Sequence, residues 1–387
     1  MNSMHYRVAG CLVLVLVSAG PNRPAAAVSA PATVPNVKAI IPPLRPLPTE
    51  EASAGVTRFS FIVYGDTRGR RDGKEVQYEH SLTVDSALQT IKALEQTAFP
   101  VRFVLQTGDA VVNGRDPQQW NGSFIALINR ITTEGGIPYF LAPGNHDVSG
   151  ADSLRATNRL EGLKNYLSAM DLLIPPDGAP RRLKGYPTYA FGYGNSLFIA
   201  MDSNIASDTT QYKWISRQLN GIDHNRYRNV FAFLHHPPFS SGPHGGAIAE
   251  KPALELRKLY MPLFRKHHVN AIFAGHEHLF EHWIERYEDR AGGKHRMDQI
   301  VTGGGGAPLY VFKGEPDTRD YLKTYAAEKV QLEHLVRPAA EPGGNPYHYV
   351  VVRVDGERVN LEVIGIDWGK DFRPYRGNKT VLAEPEG

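Results

Sequence analysis

A set of acid, amide and imidazole side chains recurs in this sequence in one setting, directly after a short apolar run. Tyr64 is followed by Gly65-Asp66-Thr67-Arg68, and Leu105 by Gln106-Thr107-Gly108-Asp109. Ala142 is followed by Pro143-Gly144-Asn145-His146-Asp147, Leu234 by His235-His236-Pro237-Pro238, and Ala274 by Gly275-His276-Glu277-His278. Two carboxylates, an amide oxygen and several imidazoles, with no thiolate, make a mixed oxygen and nitrogen donor set. Such a set suits Mn, Fe, Zn or a similar divalent or trivalent ion. It is too large for one four-coordinate ion and fits two ions sharing a carboxylate, a recurring device for displacement at phosphorus. His276 and His278 stand two apart, so on an extended segment they point the same way while Glu277 points the other. The same alternation argues against His235 and His236 both being ligands.

Something must hold these groups together, and the intervening pattern says what. Apolar runs of strand length lie at 59–64, 101–105, 137–142, 197–201, 230–234 and 269–274. Between them, Val84, Leu88, Ile91 and Leu94 keep to one helical face within 83–96, and 212–219 and 253–266 also read as helices. Strands alternating with helices predict an α/β protein with a covered sheet. The polar groups then fall at strand carboxyl ends, the edge where open α/β sheets bind ligands. Residues 150–190 read as a looser insertion, 322–335 as helical, and 348–354 with 358–365 as a strand pair turning at Asp355-Gly356.

One Gly-Asp after a strand is an ordinary turn; the ordered set GD, GD, GNHD, HHPP, GHEH is not. Over roughly residues 58–310 it resembles the calcineurin-like metallophosphoesterases, nearest to their purple acid phosphatase branch through AGHEHLFEH (274–282) and His244. The resemblance implies a four-layer α/β/β/α sandwich of two mixed sheets flanked by helices, with a dinuclear site at one edge. Asp109 would bridge the ions. Asn145, His235 and His276 would hold one, and Asp66 with His278 the other. His146, oriented by Asp147, would protonate the leaving group or stabilise the transition state, and metal-held hydroxide would attack phosphorus. His244, nine residues after His235, stands where these enzymes place a phosphate-contacting imidazole.

Two positions depart from the family pattern. Arg68 replaces a histidine that many members carry, and Val112 replaces the metal-binding tyrosine of purple acid phosphatases, so no tyrosinate colour is expected. A guanidinium cannot ligate a cation, but its planar fork suits a pair of phosphate oxygens. Among lesser candidates, His236 is expected to pack or hydrogen-bond beneath the site, and His80 and His282 to be surface or supporting histidines. Asp202 is expected to be structural, and Trp120 and Tyr310 to pack in the core. Gly303–Gly306 is followed by no Lys-Ser/Thr helix start and reads as a tight turn near the metals.

Composition is that of an ordinary globular chain of 387 residues, 42% hydrophobic and 21% charged. Arg7, the apolar run 9–20 and Ala25-Ala26-Ala27 read as a cleaved signal peptide over 1–27, too short for a membrane span of about 20 apolar residues. Cys11 is the single cysteine, so a mature chain would hold no thiol, which suits a periplasmic or secreted protein. Residues 28–57 read as a Pro-rich segment, 58–315 as the catalytic domain, and 316–387 as a helix and strand pair completing it. Of 43 basic residues the leader holds Arg7 and Arg23, leaving 41 against 40 acids, so charge gives no signal for nucleic acid or a membrane surface. The expectation is an exported phosphoesterase using two ions (Mn, Fe, Zn or Ca) on a small phosphate mono- or diester. The rival is a metal- or phosphate-binding module on the same scaffold without turnover.

Overall fold

The computed structural model describes residues 36–149, 156–246, 248–366, 374–375 and 379–382. The expected leader 1–27 and the start of the Pro-rich segment lie outside these residues, as does part of the 150–190 insertion. No helix among the described residues is long and apolar enough to cross a membrane.

Two sheets form the centre. In the first, β1 (Arg58–Tyr64), β2 (Val101–Gln106) and β3 (Tyr139–Leu141) run parallel. In the second, β4 (Tyr189–Tyr193) pairs antiparallel with β5 (Ser196–Ala200), which runs parallel to β6 (Asn229–Phe233) and β7 (Ala271–Ala274). A hairpin, β8 (Phe280–Glu288) and β9 (Lys294–Thr302), extends this sheet through a parallel β7–β9 pairing. Strand β10 (Gln331–Val336) forms its edge against β8. The chain then returns to the first sheet: β11 (Tyr347–Asp355) pairs antiparallel with β1 in the register Ile62–Val351, followed by β12 (Arg358–Ile366) and β13 (Lys379–Leu382). The orders are β13-β12-β11-β1-β2-β3 and β10-β8-β9-β7-β6-β5-β4.

The sheets meet through aromatic side chains on their facing sides. Phe61 and Phe103 of the first sheet lie 5.2 and 5.0 Å from Phe198 of the second, edge to face, and Phe61 lies 5.8 Å from Phe273. Edge-to-face contact at these separations adds to the gain from burying the rings. On the outer face of the first sheet lie α1 (Tyr78–Leu94), burying Val84, Ala87 and Ile91, and α2 (Ile125–Thr133), burying Leu127, Ile128 and Ile131. The short α3 (Asn145–Val148) and α4 (Thr157–Met170) follow β3. On the other side, α5 (Thr209–Asn220) and the segment α6 (Lys251–Glu255) to α7 (Met261–Lys266) cover the second sheet with Trp214, Ile215, Leu256 and Phe264. A wide turn over Leu256–Tyr260 interrupts that last helix just before Pro262, which has no N–H to give. The architecture is the expected four-layer α/β/β/α sandwich.

The expectation for 322–335 needs correcting. Helix α8 (Arg319–Thr324) is short, the chain turns through Lys329 at φ 49°, and Gln331–Val336 is a strand. Its side chains alternate exposed and half-buried along β8, a period of two that prevails over helix propensity.

Candidate metal centre

Because β1, β2 and β3 run parallel, and β6 and β7 likewise, their carboxyl ends open on one edge of the sandwich. The first sheet delivers Asp66, Asp109 and Asn145 there; the second delivers His235, His276 and His278. The connecting loops are bonded to one another. Asp66 N–H donates to the Gly108 carbonyl, the Thr67 and Arg68 N–H groups to the Asp109 carbonyl, and Gly275 N–H to the His235 carbonyl. Gly303–Gly306 passes beside them as expected: Gly305 N–H donates to Gly65, and Ala307 N–H to the Asp66 carbonyl. Asp66, Asp109 and His276 have φ of 58°, 55° and 68°, a left-handed conformation that non-glycine residues rarely adopt. Strain of this kind persists where surrounding structure enforces it, and here it falls on three of the predicted ligands. Close approach also requires glycine: a Cβ on Gly144 would come within 2.2 Å of Asp109 Oδ1.

The decisive feature is which way the lone pairs face. His235 is buried, and its Nδ1 lies 2.9 Å from the Thr107 carbonyl, so that nitrogen carries the proton. Burial pushes the imidazole pKa down to about 4, against the pull of the Asp109 charge, so the ring is neutral near pH 7 and Nε2 is bare. That bare nitrogen lies 2.8 Å from Asn145 Oδ1, 3.3 Å from Asp109 Oδ1 and 3.1 Å from His276 Nδ1. His276 Nε2 donates to Glu250 Oε2 at 3.1 Å, which leaves its Nδ1 turned to His235. Two imidazole nitrogens, an amide oxygen and a carboxylate oxygen therefore converge, with one backbone donor among them, the His146 N–H 3.0 Å from Asp109 Oδ1, and a cation at their centre would satisfy the lone pairs that remain. Imidazole, amide and carboxylate are donors that Zn, Mn or Fe accept. The residues fit a metal.

The second group is different. His278 Nδ1 donates to the Pro308 carbonyl at 2.7 Å, and its Nε2 lies 3.5 Å from Asp66 Oδ1. Asp66 also accepts the His276 N–H, at 2.9 Å to Oδ2. Arg68 lies against this group, with Nε 3.2 Å from Asp109 Oδ2 and Nη2 3.3 Å from His278 Nε2. Burial, and then the Asp109 charge, push the Asp66 pKa well up; Arg68 pulls it down. Burial would raise Asp109 too, but the neighbouring His235 and His146 rings, Arg68 and the His146 N–H outweigh it and hold that carboxyl low. Tyr310 stacks on His278, ring centres 4.1 Å apart at 14°. It borders the cavity rather than packing in the core, contrary to expectation.

His146 has Nδ1 2.7 Å from the Val112 carbonyl and Nε2 4.0 Å from Asp109 Oδ2, and its ring is 31% exposed on the cavity. Asp147 does not orient it. The buried Asp147 carboxylate accepts the N–H groups of Gly144, Ala110 and Val111, joining the β2 and β3 loops, while the Val112 carbonyl fixes the imidazole. The cavity, about 310 Å³, is bordered by Arg68, Asn145, His146, His244, Glu250 and Tyr310 among others. His236 hydrogen-bonds Ser203 at 2.9 Å, as expected, but it also borders the cavity, its ring centre 4.3 Å from that of His276. His80 and His282 are fully buried rather than at the surface. Asp202 is structural: it caps the turn at Ser203–Ile205 and pairs with buried Arg159. Trp120 is core, donating to the Gly114 carbonyl.

Glu250 escaped the sequence reading. It bonds His244 Nδ1 at 2.9 Å as well as His276 Nε2. Those bonds hold Glu250 well below the usual carboxylate range and raise His244. Nothing in its spacing marks it, since it reaches the site from a loop.

Strand-end donors across a two-sheet sandwich define a metal-site scaffold. The chain belongs to the calcineurin-like phosphoesterase family, whose profile matches residues 59–280. Among curated relatives, the Fe(3+)-Zn(2+) purple acid phosphatase 12 of Arabidopsis thaliana is 25% identical over 226 residues, covering 54% of this chain and 44% of that protein. A second Arabidopsis thaliana protein, named "Probable inactive purple acid phosphatase 27", is 25% identical over 268 residues, 65% of this chain and 42% of that one. The chain thus spans less than half the length of these relatives. The purple acid phosphatase PPD1 from yellow lupin (Lupinus luteus) seeds shares the fold, with TM-score 0.60 and 19% identity over 85% of this chain and 54% of that one.

Proposed function

We propose that this chain is an exported, metal-dependent phosphoric ester hydrolase acting on mono- or diesters. The observation that carries the reading is the convergence of bare His235 Nε2 with His276 Nδ1, Asn145 Oδ1 and Asp109 Oδ1, a donor set that suits a cation. Asp109, Asn145, His235 and His276 would hold that ion, with Asp66 and His278 as the companion group. The bound metal would supply Lewis acidity toward the phosphate oxygens and a water-derived nucleophile. The remaining work falls to the chain. Arg68 and His244, the latter held by Glu250, offer N–H donors to the substrate's phosphate, where preorganised donors act without reorganising. His146 turns Nε2 to the cavity, with its other nitrogen tied to Val112, and is the group placed to hand a proton to the departing alkoxide. The apolar run 9–20 and the Ala-rich stretch after it support export.

The test is hydrolysis of p-nitrophenyl phosphate and its bis-ester by chelator-stripped protein, before and after adding Mn, Fe, Zn or Ca. Turnover restored by metal is the expected result, and the ratio of the two rates assigns mono- or diester preference. Absence of turnover with every metal would favour the binding module, the reading to which the likeness to a protein named inactive lends support.

A further inference from the structure

The two halves of the centre are not equally ready for an ion. Around His235 the side chains present imidazole, amide and carboxylate atoms, and the donor to Asp109 Oδ1 is a backbone N–H, that of His146. Around His278 the acceptors already have a donor: Arg68 Nε–H points to Asp109 Oδ2 at 3.2 Å and Nη2–H to His278 Nε2 at 3.3 Å. The guanidinium thus spans the carboxylate that would be shared and the imidazole that would complete the second position. It is 82% withdrawn from solvent there, its side chain retaining 18% exposure, while Asp66 and His278 are buried beneath. The donor set agrees. Asp66, Asp109 and His278 are the ligands available, and Val112, whose carbonyl holds His146, has no donor in its side chain. A second divalent ion would have to sit among three ligands and against a permanent positive charge, since arginine does not deprotonate in proteins.

We propose that Arg68 is the second cation of this centre: its guanidinium, held between Asp109 and His278, stands in place of a second metal, so the chain carries one ion and one tethered positive charge. The inference rests on the metal-dependent reading above and deepens it. Arg68 neutralises the outer oxygen of Asp109 while Oδ1 serves the ion, and it keeps Nη1 protons for a phosphate oxygen in the cavity it borders. The substrate group facing it is an anionic phosphoryl oxygen, gripped by planar N–H donors instead of a metal.

Metal content tests this without any need for turnover. The full chain is stripped with chelator, reloaded with excess Zn²⁺ or Mn²⁺, desalted, and its metal counted per chain by plasma mass spectrometry, with thermal melts to confirm folding. One ion per chain is expected for the wild type, and two for Arg68→His, which exchanges the cation for a ligand. Arg68→Ala, which only removes the charge, is expected to bind more than one at saturating metal. Two ions in the wild type would overturn the proposal by themselves, as would a folded Arg68→His that still binds one. No ion in the wild type would instead remove the metal-dependent reading, a separate outcome.

Discussion

His235 and His282 are both buried imidazoles next to an aspartate, and they do opposite things. His282 closes a network: Nδ1 bonds the Tyr375 hydroxyl at 2.8 Å and Nε2 bonds Asp298 at 2.5 Å, while Arg296 donates twice to the same carboxylate. Each of those lone pairs meets a proton. Around His235, bare Nε2 faces Asn145 Oδ1 and His276 Nδ1, and the donor to Asp109 Oδ1 is the backbone N–H of His146. Burial and a nearby acid are common to both, so neither marks a candidate ligand; what the second ring nitrogen faces does.

The largest expected effect breaks the first of these clusters. His235→Ala should lower kcat/KM roughly 10³-fold or more, the loss of several kcal/mol of charge stabilisation. Its metal content should fall, and its melting curve in chelator should match that of the stripped wild type. His282→Ala should do the converse and leave metal content unchanged. Next in size, Asp298→Ala leaves Arg296 and His282 without their buried acid and should cost about 3–5 kcal/mol of stability in urea unfolding. Glu250→Gln keeps the shape but weakens the anchor of His276, and should reduce metal affinity or activity about 10–100-fold. The smallest effect is in pH. Burial alone would raise the Asp298 pKa, but the bond and charge of His282 and the charge of Arg296 hold it below 3.8. Its contribution is therefore full above that pH and fades as pH falls through the depressed value. The stability gap between wild type and Asp298→Ala should narrow in acid; a gap that widens would show that Asp298 is not ionised in the fold.

Much of the candidate centre was legible in the sequence because its candidate ligands follow strands. An apolar run ending in Gly-Asp or Gly-His states both the element and the side chain it delivers, and parallel pairing puts those ends on one edge. Strands β8 and β9 were not legible. Glu281, Glu285 and Asp298 interrupt their apolar pattern, yet these acids are buried with Ser241, Arg265 and His282 as partners. Glu250 was missed, the partners of Asp147 were misjudged and those of Arg68 were not seen, all for a related reason. Their roles depend on which atom meets which across loops far apart in sequence, and spacing carries no such information. Arg68 was read as a phosphate contact; its hold on Asp109 and His278 appears only in three dimensions.

The most direct test of the central claim is anomalous X-ray scattering from crystals of the chain soaked in Zn²⁺ or Mn²⁺. The account predicts a peak at about 2.0–2.2 Å from His235 Nε2, His276 Nδ1 and Asp109 Oδ1, with Asn145 Oδ1 turned toward it. Saturated crystals with no peak among those four atoms would contradict it.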